Sequence, residues 1–312
     1  MRVTGNTFSN SIADQLNLLT AREYQLQNQA TTGMRIRAPE DDPAGMEQTL
    51  NLETQGSNNS QYAQNITTLQ SRAANASSVL SQVQDLMVKT TEIATNPGNA
   101  GSQQIQVNAS LVTGYIKQAV QLLNTKNGDQ YLFGGTASGQ PPFALTTDAN
   151  GNVTGVAYQG NTSVTQSQIG DNSTISIDAP GENNTGSGPR GVVSDSRYGA
   201  DMFGHMISLQ NNLLSGNTAA ITSTDAPNLS KDETNIIYQV ADNGAVQSRL
   251  DAAASAAGNQ QTGLQTSLNN VAGADLTQTL TQLTQTQNAF QIALQTSSNI
   301  MQLQTNLLQY LP

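Results

Sequence analysis

The chain has 312 residues and a formal net charge of -10, yet only 11% of its positions are charged, whereas Ser, Thr, Asn and Gln fill about 130 of them. It has no Cys, no Trp and one His, His205, which excludes thiol nucleophiles, disulfides and thiolate or multi-histidine metal centres. A pI near 4.4 leaves no clustered basic surface for tracking phosphates, so nucleic acid is not an expected partner, and no cofactor is expected.

The first predicted element is a helix from Phe8 to Ala30, on which Phe8, Ile12, Leu16, Leu19, Leu26 and Ala30 line one narrow apolar side. Gly33 suits its end. Arg35, Arg37, Asp41 and Asp42 then form a short charged elbow, in which Asp42 can cap and Pro43 can open the next helix. The two aspartates read as caps rather than as a metal or acid–base pair. The two arginines read as ion-pair partners, within the elbow or, as the favoured reading, between subunits.

From about Pro43 to Ala94, Ile66, Leu69, Ala73, Ala76, Leu80, Val83 and Met87 step alternately by three and four, the seam of a coiled-coil-like helix. Asn96-Pro97-Gly98-Asn99 predicts a turn. Ile105, Ala109, Val112, Ile116, Ala119 and Leu123 then predict a returning helix, which completes an antiparallel hairpin. After Asn127-Gly128 the period changes to two. Short runs at Tyr131 to Phe133, Phe143 to Thr146, Val153 to Tyr158, Ser163 to Gln168 and Thr174 to Asp178 predict a small Gly-rich β domain. Its carboxylates Asp148, Asp171, Asp178, Glu182 and Asp195 fall mostly at turns, a poor arrangement for acid–base work. Met202, Met206, Leu209 and Leu213 restart the helical spacing. A long helix near Asn235 follows, with Leu250, Ala254, Ala257, Leu264, Leu268 and Val271 on one seam.

The last 37 residues, from Leu276 to Pro312, carry no charge. Leu276, Leu280, Leu283, Phe290, Leu294 and Met301 mark one stripe, which Ile300, Leu303, Leu307 and Leu311 continue. The expected organisation is an N-terminal assembly helix and elbow (1–42), a helical hairpin (43–129), an inserted β domain (130–198), returning helices (199–274) and a C-terminal assembly helix (275–312). The fold class is mainly α with an inserted β domain, its terminal segments forming a long antiparallel coiled-coil-like bundle.

One apolar stripe cannot offset the entropy of ordering a lone helix. The terminal helices are therefore expected to order on each other and on neighbouring copies, through Phe8, Ile12, Leu19, Leu26, Leu280, Leu283, Phe290, Leu294, Ile300, Leu303, Leu307 and Leu311. A face of Gln, Asn and Thr can be buried against identical copies without stranding ions. The N-terminus lacks an apolar signal region and no run of ~18 apolar residues occurs, so neither a cleaved signal peptide nor membrane insertion is expected.

Thr32-Gly33-Met34-Arg35-Ile36, followed by Asp41-Asp42-Pro43-Ala44-Gly45, is similar to the elbow segments of the flagellin family. The order of helices and inserted β domain resembles that family from end to end. Tyr131-Leu132-Phe133-Gly134-Gly135-Thr136, Pro142-Phe143 and Tyr158-Gln159-Gly160-Asn161 resemble its hook–filament junction members more than its filament subunits. The resemblance implies a structural protein, not an enzyme, exported by the flagellar type III apparatus and assembled outside the cell as a homo-oligomeric ring. Its implied neighbours are hook-associated protein 1 and flagellin, with a cytoplasmic export chaperone on the C-terminal stripe before export. A filament flagellin is the alternative within the family, and a membrane-active type III translocator the alternative outside it.

Overall fold

Apolar spacings of three, four and seven become long helices, and the segment of period two becomes short strands. The computed structural model describes the backbone of residues 4–97 and 102–308 and the side chains of residues 10–97 and 103–303. Helix α1 (Thr4–Thr32) is followed by α2 (Pro43–Thr95) and α3 (Ser102–Leu123). Nine strands come next: β1 (Lys126–Asn127), β2 (Gln130–Tyr131), β3 (Phe143–Thr147), β4 (Val153–Tyr158), β5 (Ser167–Gly170), β6 (Ser173–Ile175), β7 (Glu182–Asn183), β8 (Ser194–Asp195) and β9 (Ala200–Asp201). Helices α4 (Met202–Ser215) and α5 (Thr218–Ala220) lead through a π turn (Ile221–Asp225) into α6 (Ala226–Ala272) and then α7 (Leu276–Leu308). The chain divides into two compact units, one of residues 1–58 and 259–312, the other of residues 59–258.

In the unit of residues 59–258 every predicted seam residue of α2 is buried, from Ile66 to Met87. Ala109, Val112, Ile116, Ala119 and Leu123 of α3 are buried with them, as are Met202, Met206, Leu209 and Leu213 of α4. Helix α6 starts earlier than the spacing around Asn235 suggests, because Leu229 and Ile236, seven apart, carry its buried seam toward the π turn. Its far half packs differently. Leu250 and Ala257 join Ile66, Leu69 and Ala73 of α2 and Ile169 and Ile175 of the β5–β6 hairpin in a second, smaller cluster.

The strands pair as local hairpins, β1 with β2, β3 with β4 and β5 with β6, apart from a three-stranded sheet in which β7 runs parallel to β8 and β8 antiparallel to β9. Such short strands have too few apolar side chains for a core of their own. Leu132, Phe133, Phe143, Val153, Val192 and Val193 instead enter the core shared by α2, α3, α4 and α6. Phe143 is the link: its ring centroid lies 5.5 Å from that of Phe203 on α4 and 5.3 Å from that of Tyr158 on β4.

Gln210 of α4 fixes the β4 edge against the helices. Fully buried, its amide accepts from the Val153 N–H (3.2 Å) and the Thr113 hydroxyl (2.8 Å) and donates to the Val153 carbonyl (3.0 Å). The side chain thus completes a ladder that no strand continues. Replacing it by alanine would leave a buried N–H and C=O unpaired. Gln210→Ala should lower the denaturant stability of the chain by about 2–4 kcal/mol, read as a lower urea midpoint with unchanged far-ultraviolet ellipticity before the transition.

Candidate assembly site

The unit of residues 1–58 and 259–312 holds the predicted assembly residues. Helix α1 ends at Gly33, whose φ of +70° is the left-handed conformation that glycine adopts without penalty. Its N–H still closes the last turn on the Gln29 carbonyl at 2.9 Å. The chain then pairs across to the segment between α6 and α7. Met34 and Gly273 form an antiparallel bridge, Arg35 N–H donates to the Ala272 carbonyl at 2.6 Å, and Ala274 N–H donates to the Gly33 carbonyl at 2.8 Å. This latch was not predicted, since nothing local in either sequence segment marks a two-residue bridge more than two hundred positions apart.

The charged elbow resolves into caps and one ion pair. Asp42 caps α2, its carboxylate accepting from Gly45 N–H at 3.0 Å. Asp41 closes the preceding turn by accepting from the Arg37 and Ala38 N–H groups at 3.0 and 3.2 Å. The Arg35 guanidinium lies 3.7 Å from Asp42 and donates to the Val271 carbonyl at 2.9 Å, so it ties the elbow to the latch. Among the described residues the exposed Arg37 guanidinium has no carboxylate within ion-pair distance. Ile36, the one large apolar residue of the elbow, is almost fully buried. Gly45 explains itself against it: a Cβ there would overlap the Ile36 Cδ1 and the Asp42 carboxylate.

With the latch holding the end of α1 near the start of α7, the two helices pack antiparallel, and Gln287 Nε2 donates to Glu23 Oε1 at 3.1 Å. Asp275 opens α7 as its cap, accepting from the N–H groups of Thr277 and Gln278. Ile12 and Leu19 are half-buried and Leu26 fully so, all at steps of seven along α1. Leu283, Phe290 and Ile300 are half-buried along α7. Leu280, Leu294 and Leu303 are not covered: they are 53%, 46% and 61% exposed, in the company of Leu276, Ile292 and Met301. The Phe8 and Leu307 side chains and the whole of Leu311 lie outside the described residues.

The predicted single stripe is therefore wider than one partner helix can cover. Leu280, Leu294 and Met301 share one heptad position on the flank of the half-buried face, with Gln287 in the intervening turn. Ile292 and Leu303, eleven residues apart, lie on the far side. The outer side of α1 exposes Leu18 and Tyr24 as well. Elsewhere the carboxylates of the β segment serve structure: Asp178 pairs with Arg72 at 2.8 Å, Asp195 with Arg197 at 2.6 Å, and Asp148 holds turn N–H groups. Among the described residues no helix is long and apolar enough to cross a membrane.

Residues 3–138 match the bacterial flagellin N-terminal helical region and residues 229–311 the bacterial flagellin C-terminal helical region. The chain is 33% identical over 150 residues to the flagellar hook-associated protein 3 of Salmonella typhimurium. That match takes in 47% of this chain and 45% of the relative, so the chain spans less than half the length of the curated protein it matches. Among solved structures, the fold is similar to a protein provisionally described as flagellar hook-associated from Vibrio parahaemolyticus, with a TM-score of 0.61 and 17% identity over 75% of this chain and 100% of that one. It is similar also to Xanthomonas campestris FlgL, with a TM-score of 0.55 and 18% identity over 69% of this chain and 98% of that one.

Filling the space that Gly45 leaves should loosen the elbow without touching α1 or α7. Gly45→Ala is expected to cost about 1–3 kcal/mol by overpacking, seen as faster hydrogen exchange at the N–H groups of Arg35 and Arg37, while amides in the centre of α3 keep wild-type protection.

Proposed function

Because the chain belongs to the flagellin family, we propose that it is a structural, non-catalytic subunit of the bacterial flagellum, built into a ring at the junction between hook and filament. The observation that carries this reading is the uncharged α7, docked on α1 by one face and exposing Leu280, Leu294 and Met301 on its flank. Exposed apolar side chains aligned along an uncharged helix support a protein contact on that flank. In the proposed ring the flank is covered by α1 and α7 of neighbouring copies. The 33% identity to hook-associated protein 3 supports the junction over the bulk filament as its place.

By the same reading the subunit is exported through the flagellar type III apparatus. Its C-terminal stripe is shielded by a cytoplasmic chaperone beforehand, and hook-associated protein 1 and flagellin stand on its two sides in the finished organelle. The long α7 suits such a sequence of partners. It presents apolar side chains on several faces and no ion that any of the partners must neutralise.

Two measurements test the reading. Immunogold labelling of purified flagella should mark one short band where hook meets filament; label distributed along the filament would instead make the chain a filament flagellin. In the purified chain, the double variant Leu280→Glu, Leu294→Glu should keep the monomer's helicity, because both side chains are about half exposed and their ends can reach water. Concentration-dependent assembly followed by sedimentation should fall at least tenfold, since burying two unpaired carboxylates in each contact costs more than ~1.4 kcal/mol.

A further inference from the structure

On α4 the polar side chains His205, Ser208 and Asn212 follow one another along one face at steps of three and four. They meet two carboxylates seven residues apart, Asp225 in the π turn and Asp232 on α6, each only 1% exposed. Ser208 Oγ donates to Asp225 Oδ1 and Asn212 Nδ2 to Asp225 Oδ2, both at 2.7 Å. His205 Nδ1 lies 2.7 Å from Asp232 Oδ2. The other oxygen of Asp232 accepts from Asp201 N–H at 2.8 Å, and Asp201 in turn caps α4 through Gly204 N–H at 3.2 Å. Asp232 thus bolts the start of α4 and the end of β9 to α6.

Two buried carboxylates stand on this seam, one held by neutral donors alone and the other by the chain's single imidazole. We propose that the seam between α4, the π turn and α6 is a pH-sensitive lock, closed while His205 is an imidazolium cation and loosened when it is neutral. A buried carboxylate costs several kcal/mol unless an opposite charge and hydrogen bonds compensate it. Imidazolium supplies both. Neutral imidazole can still donate one hydrogen bond, but the charge of Asp232 is then uncompensated.

The surroundings act in the same sense. The hydrogen bond to Asp232, then the charges of Asp232 and Asp201, raise the His205 imidazole above its ordinary value of 6.5, against its partial burial and the nearby Lys231. A raised value on a cationic group gives stability that is complete below the unfolded value and lost as pH rises through the folded one. Burial raises the Asp232 carboxyl in spite of His205, so its ionisation also works against the fold. From the adjoining sheet, Glu182 is pushed up to about 7 by burial and by the charge of Asp201. Its ionisation adds repulsion at the lower edge of that window and is complete above it.

Because the chain has one histidine, one imidazole resonance of the full-length protein reports the lock directly. It should titrate above the ordinary value, and Asp232→Asn should bring it back down. The melting temperature of the wild type should fall by several degrees between about pH 6 and about pH 9. His205→Gln should flatten that fall, whereas Glu182→Gln should keep the share that belongs to His205. An imidazole that titrates at or below its ordinary value, or a His205→Gln variant that retains the full slope, would overturn the proposal.

Discussion

The rest of the first unit depends on one constraint, an uncharged helix that has apolar side chains on more sides than a single neighbour can cover. Helix α7 has no ionisable residue to turn toward water, and its threonines lower its intrinsic helix propensity. Packing has to supply what propensity does not. Helix α1 supplies part of it with Ile12, Leu19 and Leu26, and the remainder, through Leu280, Leu294 and Met301, is open to another chain. An intramolecular pair of this kind fixes a register without any second copy. The flank is then presented in a defined orientation rather than by a helix that must fold and dock at once.

That register is set at the elbow. Two-stranded pairing at Met34 and Gly273 ties the ends of α1 and α6 together, and Arg35 adds a side-chain bond to the Val271 carbonyl and an ion pair to Asp42. The ion pair is half exposed and contributes little by itself. Main-chain bonds, the buried Ile36 and the close approach at Gly45 do more, because each is geometrically exclusive. A charged motif that looks like a candidate for chemistry is a mechanical joint.

The seams of α2, α3 and α4 were legible because a helix buried on one side must repeat its apolar residues every three or four positions, and these did. The strands of the β3–β4 hairpin were legible from alternation, whereas the run from Ser163 to Gln168 meets β5 at Ser167 and Gln168 alone. The three-stranded sheet was not legible. Its strands are two residues long, too short for any period, and the loop between β7 and β8 is held by Asn235 and Gln239 of α6, whose side-chain amides bond the carbonyls of Arg190, Gly191 and Val192. In the assembly site the caps Asp41 and Asp42 could be read from their position before Pro43. The splitting of the α7 stripe into a half-buried face and an exposed flank could not, because a heptad count reports which residues share a side and not which of two sides the partner takes. Ile36 carried a usable signal, a lone aliphatic residue among charges.

The polar groups of α7 and of the α4–α6 seam differ in kind. Along α7 they are amides and hydroxyls, many of the threonines bonding back to the carbonyl four residues earlier, as the half-buried Thr286 and the exposed Thr281, Thr284 and Thr296 do. Such groups bind no protons, so contacts made by α7 carry little proton linkage; among the described residues the carboxylates that bond it are Glu23 on α1 and its own cap, Asp275. On the α4–α6 seam the buried groups are carboxylates and an imidazole, whose energies depend on pH by construction. A surface that has to serve several partners gains from being indifferent to protonation. An internal seam that meets the same neighbours throughout can hold ions, because their partners are built beside them. If the proposed succession of partners holds for α7, the uneven placement of charge has a physical reason: ions are kept where their compensation is fixed and left out where the neighbour changes.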